Sequence, residues 1–435
     1  MKLNTKQQQQ QWSPYLKKIL PWAMFSLLPL ALFRIYFYPL TNIDDDHHPI
    51  KPIITTIATF PSPSPKEKER VVIDECEYGN GKWVPDKRGP LYNGTSCGTI
   101  KDGQNCMSHG RPDTDYLYWR WKPNQDQCQI PRFDSLHFLS LHINKHLAFV
   151  GDSMARNQME SLLCMLSSYS TPNLIYSNGD DNKFRRWNFP SHNFTISIYW
   201  SPFLVKGIEK TESRNYNRLF LESVDEKWAS DLDQIDTIIL SVGHWFLHRA
   251  VYSYDGSVLG CHSCEGMNFT EIGFYDVFGK AIKTSIDAII ERQSKTRSYR
   301  SGFFDVIVTT FSPHHFEGEW DKLGACSKTM PFEEWEKKLE GMDFEMRESE
   351  MKEIRVGKMK IEEFGGSGKV RLEGVDVTKM ALLRPDGHPG PYLYPNPFKD
   401  GVKERVQNDC VHWCMPGPID TWNEILFEVI KRWQE

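Results

Sequence analysis

The first 75 residues of this 435-residue chain contain no cysteine; all ten cysteines lie from Cys76 to Cys414. An even count confined to one side of the chain favours disulfides formed in an oxidising compartment. The chain also lacks an excess of either charge, with 52 Lys and Arg against 57 Asp and Glu and a formal net charge of −5. That balance gives no ground for a nucleic-acid partner or a polybasic membrane patch. No internal repeat is visible, so the length allows two or three domains or one large domain with insertions. Metal-ligand spacing is scarce too. Cys261-His-Ser-Cys264 has no second cysteine pair and no matching histidine cluster, so a local disulfide is expected there rather than half of a zinc site.

Against these absences stands one long apolar stretch, ILPWAMFSLLPLALFRIYFYPL at 19–40. It has the length of one bilayer-spanning helix. Arg34 lies near its far end, where a long cationic side chain snorkels to the headgroups. Trp22, Tyr36 and Tyr38 suit the interfacial belt, with Lys17 and Lys18 before the stretch and three aspartates after it. Positive flanks stay cytoplasmic. The expectation is a signal anchor with a cytosolic tail at 1–18, a transmembrane helix at 19–40 and a luminal stem at 41–70. No small-x-small cleavage site follows closely, which disfavours a cleaved signal peptide. The stem is rich in Pro, Thr, Ser and charge and reads as an extended spacer. A folded luminal domain fills 71–435. Sequons at Asn93, Asn193 and Asn268 agree with a secretory compartment.

Within that domain, 71–145 carries four cysteines, turns and aromatic clusters, and reads as irregular and disulfide-stapled. A catalytic part at 146–435 follows. Its first segment, His146-Leu-Ala-Phe-Val150, is a buried-strand candidate, and 154–166 has helical spacing. Further strands are expected at 237–242 and 303–309, with a helix at 277–292 between them. A long, partly exposed helix is expected over 332–364. A last helix over 421–433 has Asp420 as its N-cap. Strands alternating with helices argue for an α/β fold around a parallel sheet.

Gly151-Asp-Ser153 turns the chain between the first strand and its helix. A serine held there sits at the carboxyl edge of the sheet, where open α/β sheets place ligands. The N-terminus of the following helix favours negative charge developing at the same spot. Ser153 is therefore a candidate nucleophile with its own N–H as an oxyanion donor, although a turn with Asp152 or Ser153 as helix cap is the commoner reason for such a tripeptide alone. A serine needs a base, and the base needs an orienting acid. Asp409-Cys-Val-His412-Trp-Cys414 offers both on one loop, with Cys410 and Cys414 placed to pin it.

The order Ser, then Asp-x-x-His near the end, resembles the SGNH/GDSL hydrolase superfamily. The wider chain resembles the plant trichome-birefringence-like family of polysaccharide O-acetyltransferases. The blocks that carry this are Cys76-Glu-Tyr-Gly-Asn-Gly-Lys-Trp-Val-Pro85, Tyr118-Trp-Arg-Trp-Lys-Pro123, Phe149-Val-Gly-Asp-Ser-Met-Ala-Arg-Asn-Gln158 and Gly243-His-Trp245. Phe311-Ser-Pro-His-His-Phe316, Arg384-Pro-Asp-Gly-His388 and Asp409-Cys-Val-His-Trp-Cys-Met-Pro-Gly417 complete them.

The resemblance implies a three-layer sandwich with a central parallel sheet and a disulfide-rich N-terminal insertion. It implies a single-pass type II Golgi enzyme with its catalytic domain in the lumen, acetylating wall glycans. Ser153 would be nucleophile, His412 base and Asp409 its partner. Arg156, one helical turn beyond Ser153, would bind acceptor or support the loop. Gly243 would supply a second oxyanion N–H; Ser241-Val242 stand where many relatives carry Asn-Thr, so the asparagine side-chain donor of those relatives is missing from this chain. His244 and Trp245 would line the acceptor groove, or Trp245 would pack in the core.

The resemblance also suggests disulfides Cys76–Cys128, Cys97–Cys164, Cys106–Cys414 and Cys326–Cys410. No metal and no bound cofactor are implied. An acetyl donor is required, either acetyl-CoA or an acetylated carrier, so an acetyl-donor membrane protein is a candidate partner. The stretches 241–247 and 311–320 are most similar to members acting on xyloglucan; mannan and xylan are the alternative acceptors. An acetylesterase and a non-catalytic wall-glycan-binding protein are the rival functions.

Overall fold

The run His146–Gly151 forms strand β3, buried along its whole length, because helices cover both faces of the sheet around it. It belongs to a computed structural model that describes residues 76–178, 183–296, 302–363 and 369–434. The expected tail, anchor and stem lie outside the described residues. Among those described, no helix is long and apolar enough to cross a membrane.

The strands in chain order are β1 (Gly81–Pro85), β2 (Trp119–Pro123), β3, β4 (Asn173–Asn178), β5 (Phe184–Phe189), β6 (Phe194–Trp200), β7 (Val205–Ile208), β8 (Asn217–Val224), β9 (Thr237–Ser241), β10 (Ala250–Tyr254), β11 (Ser257–His262), β12 (Phe304–Thr309) and β13 (Val370–Val375). The longer helices are α1 (Ser135–Leu141), α2 (Ser153–Ser167), α3 (Tyr275–Thr296), α4 (Gly341–Glu363) and α5 (Asp420–Arg432). A seven-stranded sheet has the order β13-β12-β9-β3-β6-β5-β4. Its first five strands are mutually parallel, and β5 and β4 add an antiparallel edge.

Period-two alternation sorts the strand residues onto two faces. Leu147, Phe149, Ile239 and Ile307 join one core with Met159, Leu162 and Leu163 of α2 and Ile425, Leu426 and Ile430 of α5. Ala148, Val150, Ile238, Leu240, Val306 and Val308 join the other with Phe278, Ile282, Ile286 and Ile289 of α3 and Met346 and Ile354 of α4. These are the three layers expected. The expected parallel sheet is mixed, however, and a second sheet, β11-β10-β8-β7, inserts before α3. β4 carries Leu174, Ile175 and Tyr176 but is exposed along its length, and Arg185 and Arg186 interrupt the apolar residues of β5.

Two further expectations are corrected. The charged helix begins at Gly341 rather than near 332; Gly341 has a left-handed φ of 58°. Asp420 is the first residue of α5 rather than its cap. Its carboxylate instead accepts hydrogen bonds from Ser161 Oγ, Tyr92 OH and the Gly417 N–H, tying α5 to α2 and to the cysteine-rich segment.

The four suggested disulfides all form, and Cys261–Cys264 makes a fifth. Cys106–Cys414 spans 308 positions and Cys326–Cys410 spans 84, so both hold the Asp409–His412 loop to distant chain. With the Cys261 and Cys264 sulfurs bonded to each other, they are not a thiolate pair for a metal.

Along the parallel strands the spatial order is second, first, third, fourth, fifth in chain order, so the winding reverses between β3 and β9. That is the topological switch point, beyond whose carboxyl ends such sheets bind ligands. Ser153 follows β3 and Gly243 follows β9. Gly151 sits where the two strands converge: a Cβ there would lie 1.8 Å from the Ser241 carbonyl oxygen. Gly151→Ala is therefore expected to disrupt folding, whereas Gly98→Ala, with open space around its Cβ, leaves the thermal midpoint near the parent's. Equal midpoints for the two variants would contradict this packing.

Candidate active site

Helix α2 starts at Ser153 because Asp152 caps it, its carboxylate accepting from the Met154 N–H at 2.9 Å. The other Asp152 oxygen accepts from the Gly243 N–H at 3.1 Å. Burial raises the Asp152 pKa to about 6, against these two hydrogen bonds. The Gly243 N–H, expected as an oxyanion donor, is thus engaged by a carboxylate in this structure. Ser153, half-buried, keeps an N–H with no acceptor inside the helix.

The second component is the loop before α5. Asp409 Oδ2 meets His412 Nδ1 at 2.7 Å. Asp409 Oδ1 accepts from the backbone N–H groups of Val411 and His412 at 3.1 and 2.9 Å. Burial works against the Asp409 carboxylate, but the His412 imidazole and these hydrogen bonds prevail and hold its pKa well below the usual range. With a carboxylate accepting at Nδ1, Nδ1 carries the proton, and His412 Nε2 is left as the basic nitrogen. Nε2 is buried and makes no hydrogen bond.

What joins the two components is Asn157, fully buried on α2 one turn beyond Ser153. Its Oδ1 accepts from the Trp413 N–H at 2.8 Å, and its Nδ2 donates to the Trp413 carbonyl at 3.3 Å. The residue after His412 is thereby fixed to the turn after Ser153. His412 lies close enough to act electrostatically on both Asp152 and His244. The Ser153, Asp409 and His412 predicted from sequence are thus carried on two elements clamped to each other.

The remaining candidates sit around this centre. His244 Nε2 donates to the Ser312 carbonyl at 2.9 Å; burial, aided by His314, pushes its pKa down to about 3 and keeps it neutral. Trp245 is half-buried, its ring edge-on to Trp200 at 5.5 Å and to Phe203 at 5.8 Å. Arg156 is buried, its guanidinium 5.8 Å from the Trp200 ring centre, and it acts electrostatically on Asp152 and on buried Glu160.

Sequence reasoning singled out neither Asn157 nor the support beneath the histidine loop. His388 Nδ1 donates to the His412 carbonyl at 2.7 Å, and the His388 ring stacks on Trp413 with centres 4.2 Å apart. Trp413 Nε1 donates to Ser312 Oγ. Arg111 donates to the carbonyls of Asp386 and His388, and the buried Arg384–Asp386 pair holds the turn between them. All of these except Arg111 fall in the quoted motif blocks, which was the available signal.

The Asp409 shift makes a pH prediction. Its folded pKa lies below the unfolded value of about 3.9, so its contribution to stability is full above that value and disappears as pH falls towards the folded pKa. The stability difference between the parent and Asp409→Asn, followed by denaturant unfolding, should be largest above about pH 5 and shrink in more acid solution. A difference that stays constant from neutral pH to pH 2 would contradict the assignment.

Comparison with known proteins agrees with this architecture. Residues 130–429 match the model of the GDSL/SGNH-like acyl-esterase family found in Pmr5 and Cas1p, and 74–129 match the PMR5 N-terminal domain. Xyloglucan O-acetyltransferase 1 of Populus trichocarpa is 60% identical over 420 residues, covering 96% of this chain and 94% of its own. Xyloglucan O-acetyltransferase 1 of Arabidopsis thaliana is 54% identical over 435 residues, covering 98% and 99%. Protein trichome birefringence-like 26 of Arabidopsis thaliana is 41% identical, covering 93% and 85%. With the switch-point serine, the Asp-His loop and two adjoining family models spanning nearly all of the described residues, the chain belongs to the GDSL/SGNH-like acyl-esterase family found in Pmr5 and Cas1p, among the trichome-birefringence-like proteins.

Proposed function

We propose that this protein transfers acetyl groups to hydroxyls of a plant cell-wall hemicellulose, xyloglucan above others, through an acetyl-Ser153 intermediate. The observation that carries the reading is His412: Asp409 orients its Nδ1, and its buried Nε2 has no partner on a loop that Asn157 clamps to the Ser153 helix. Ser153 Oγ and Nε2 are not hydrogen-bonded here, and such bonds often tighten only when substrate arrives.

In the first half-reaction His412 Nε2 takes the Ser153 Oγ proton as the oxygen attacks the acetyl carbonyl of the donor. The tetrahedral oxyanion lies at the α2 N-terminus, where the Ser153 N–H and the helix dipole stabilise it. Collapse expels the donor's leaving group, which takes the proton from Nε2. In the second half a sugar hydroxyl gives its proton to Nε2, attacks the acetyl-serine and leaves acetylated, and Ser153 recovers the proton. Asp409 stays ionised throughout and stabilises the imidazolium. For Gly243 to serve as the second oxyanion donor, its N–H must first leave the Asp152 carboxylate.

Xyloglucan is supported by the names of the relatives at 54 and 60% identity. Acetyl-CoA or an acetylated carrier would supply the acetyl group. A signal anchor at 19–40 would place the domain in the Golgi lumen. All three sequon asparagines, Asn93, Asn193 and Asn268, are exposed, as glycosylation there requires.

Incubating the full chain with an acetyl donor and a panel of xyloglucan, mannan and xylan oligosaccharides tests the reading by mass. The expected result is acetyl addition to xyloglucan oligosaccharides by the parent and at least a thousandfold less by Ser153→Ala, a floor below the roughly millionfold loss seen on removing a triad nucleophile. Parent-level product from a folded Ser153→Ala protein, or net deacetylation by the parent, would overturn it.

A further inference from the structure

Away from the Ser153 helix, the segment that leads into Asp409 forms one wall of a cleft of about 410 Å³. Trp320 and Tyr394 both line it and are 50% and 49% exposed. The Trp320 backbone and the Tyr394 hydroxyl are tied to that segment. The Trp320 carbonyl accepts from the Asn408 N–H at 2.9 Å and from Asn408 Nδ2 at 3.2 Å. The Tyr394 hydroxyl donates to Gln407 Oε1 at 2.6 Å. The Val406 N–H donates to the Asp321 carbonyl, and Arg405 Nε to the Asp321 carboxylate at 2.7 Å.

We propose that this cleft is an acceptor subsite that binds uncharged pyranose units of the glycan chain beyond the one being acetylated. This rests on the polysaccharide reading above. A pyranose presents an apolar face of C–H groups and a rim of hydroxyls. A half-exposed aromatic ring covers the face, and planar amide, carboxylate and guanidinium groups bond the rim. Trp320 and Tyr394 supply the rings; Gln407, Asp321 and Arg405 supply the rim partners. The lining mixes both signs, Asp321 and Asp400 against Lys399, Lys403 and Arg405, with Arg405 paired to Asp321. That mixture suits a neutral ligand better than a polyanion.

The cleft is also coupled to the reaction centre. Gln407 precedes Asp409 by two residues, about 7 Å of extended chain. Asp409 exchanges both backbone hydrogen bonds with Gly390, which opens the segment carrying Tyr394. A glycan seated on Trp320 and Tyr394 is therefore positioned by the same backbone that positions His412, and its length contributes to acceptor choice.

The test measures binding apart from chemistry. In the full chain carrying Ser153→Ala, titration with xyloglucan heptasaccharide should show a dissociation constant raised at least tenfold by adding Trp320→Ala and Tyr394→Ala, with Trp320→Phe restoring part of the loss. Values within twofold of the Ser153→Ala parent would overturn the subsite. Hydroxyl-radical footprinting of the chain with Trp320 and Tyr394 intact gives a readout independent of those substitutions: the oligosaccharide should protect both residues, and equal labelling with and without it would also overturn the proposal. Acetyl transfer is scored separately, so an inactive wild type that still binds through these rings would sink the enzymatic reading and leave the subsite standing.

Discussion

Two hydrogen bonds between Asn157 and the backbone of Trp413 hold the Ser153 helix against the Asp409–His412 loop. An imidazole works as a base for a serine only when their separation is held to within about half an ångström, and these residues arrive from opposite ends of the domain. Other contacts serve the same end. The Cys106–Cys414 and Cys326–Cys410 disulfides pin the loop on either side of His412. His388 takes the His412 carbonyl from below, and Asp420 ties α5 back to Ser161 on α2.

The sheet supplies the other half of the constraint. The switch point between β3 and β9 creates a crevice, and Gly151 lets the two strand ends approach closely enough to form it. Asp152 then bridges the helix start to the β9 turn through Met154 and Gly243. Its burial, with a pKa raised to about 6, places a titratable carboxyl directly behind the serine.

Much of this was legible in the sequence. β3, β9, β12, α2 and α3 have apolar runs or helical spacing long enough to read, and the Ser153 and Asp409–His412 blocks have the residue types their chemistry needs. Other features left weaker traces. β4 has only three apolar residues in a row, Leu174 to Tyr176, and β5 is interrupted by two arginines, so neither matches a buried strand. The start of α4 was misplaced because the charged stretch before Gly341 has much the same composition as the helix. Asp420 was read as a cap because aspartate favours that position, but its carboxylate has tertiary partners that no local rule reveals. The same applies to Asn157: an asparagine inside a helix looks unremarkable until the Trp413 backbone is beside it. The engagement of the Gly243 N–H by Asp152 is likewise a contact between residues 91 positions apart.

Labelling the full chain with a serine-directed fluorophosphonate and mapping the adduct by peptide mass asks whether His412 activates Ser153. The expected outcome is one adduct, on Ser153, that forms at least a hundredfold more slowly in a folded His412→Ala protein, the scale of a lost general base. An adduct on another residue, or one on Ser153 that forms equally fast without the imidazole, would contradict it.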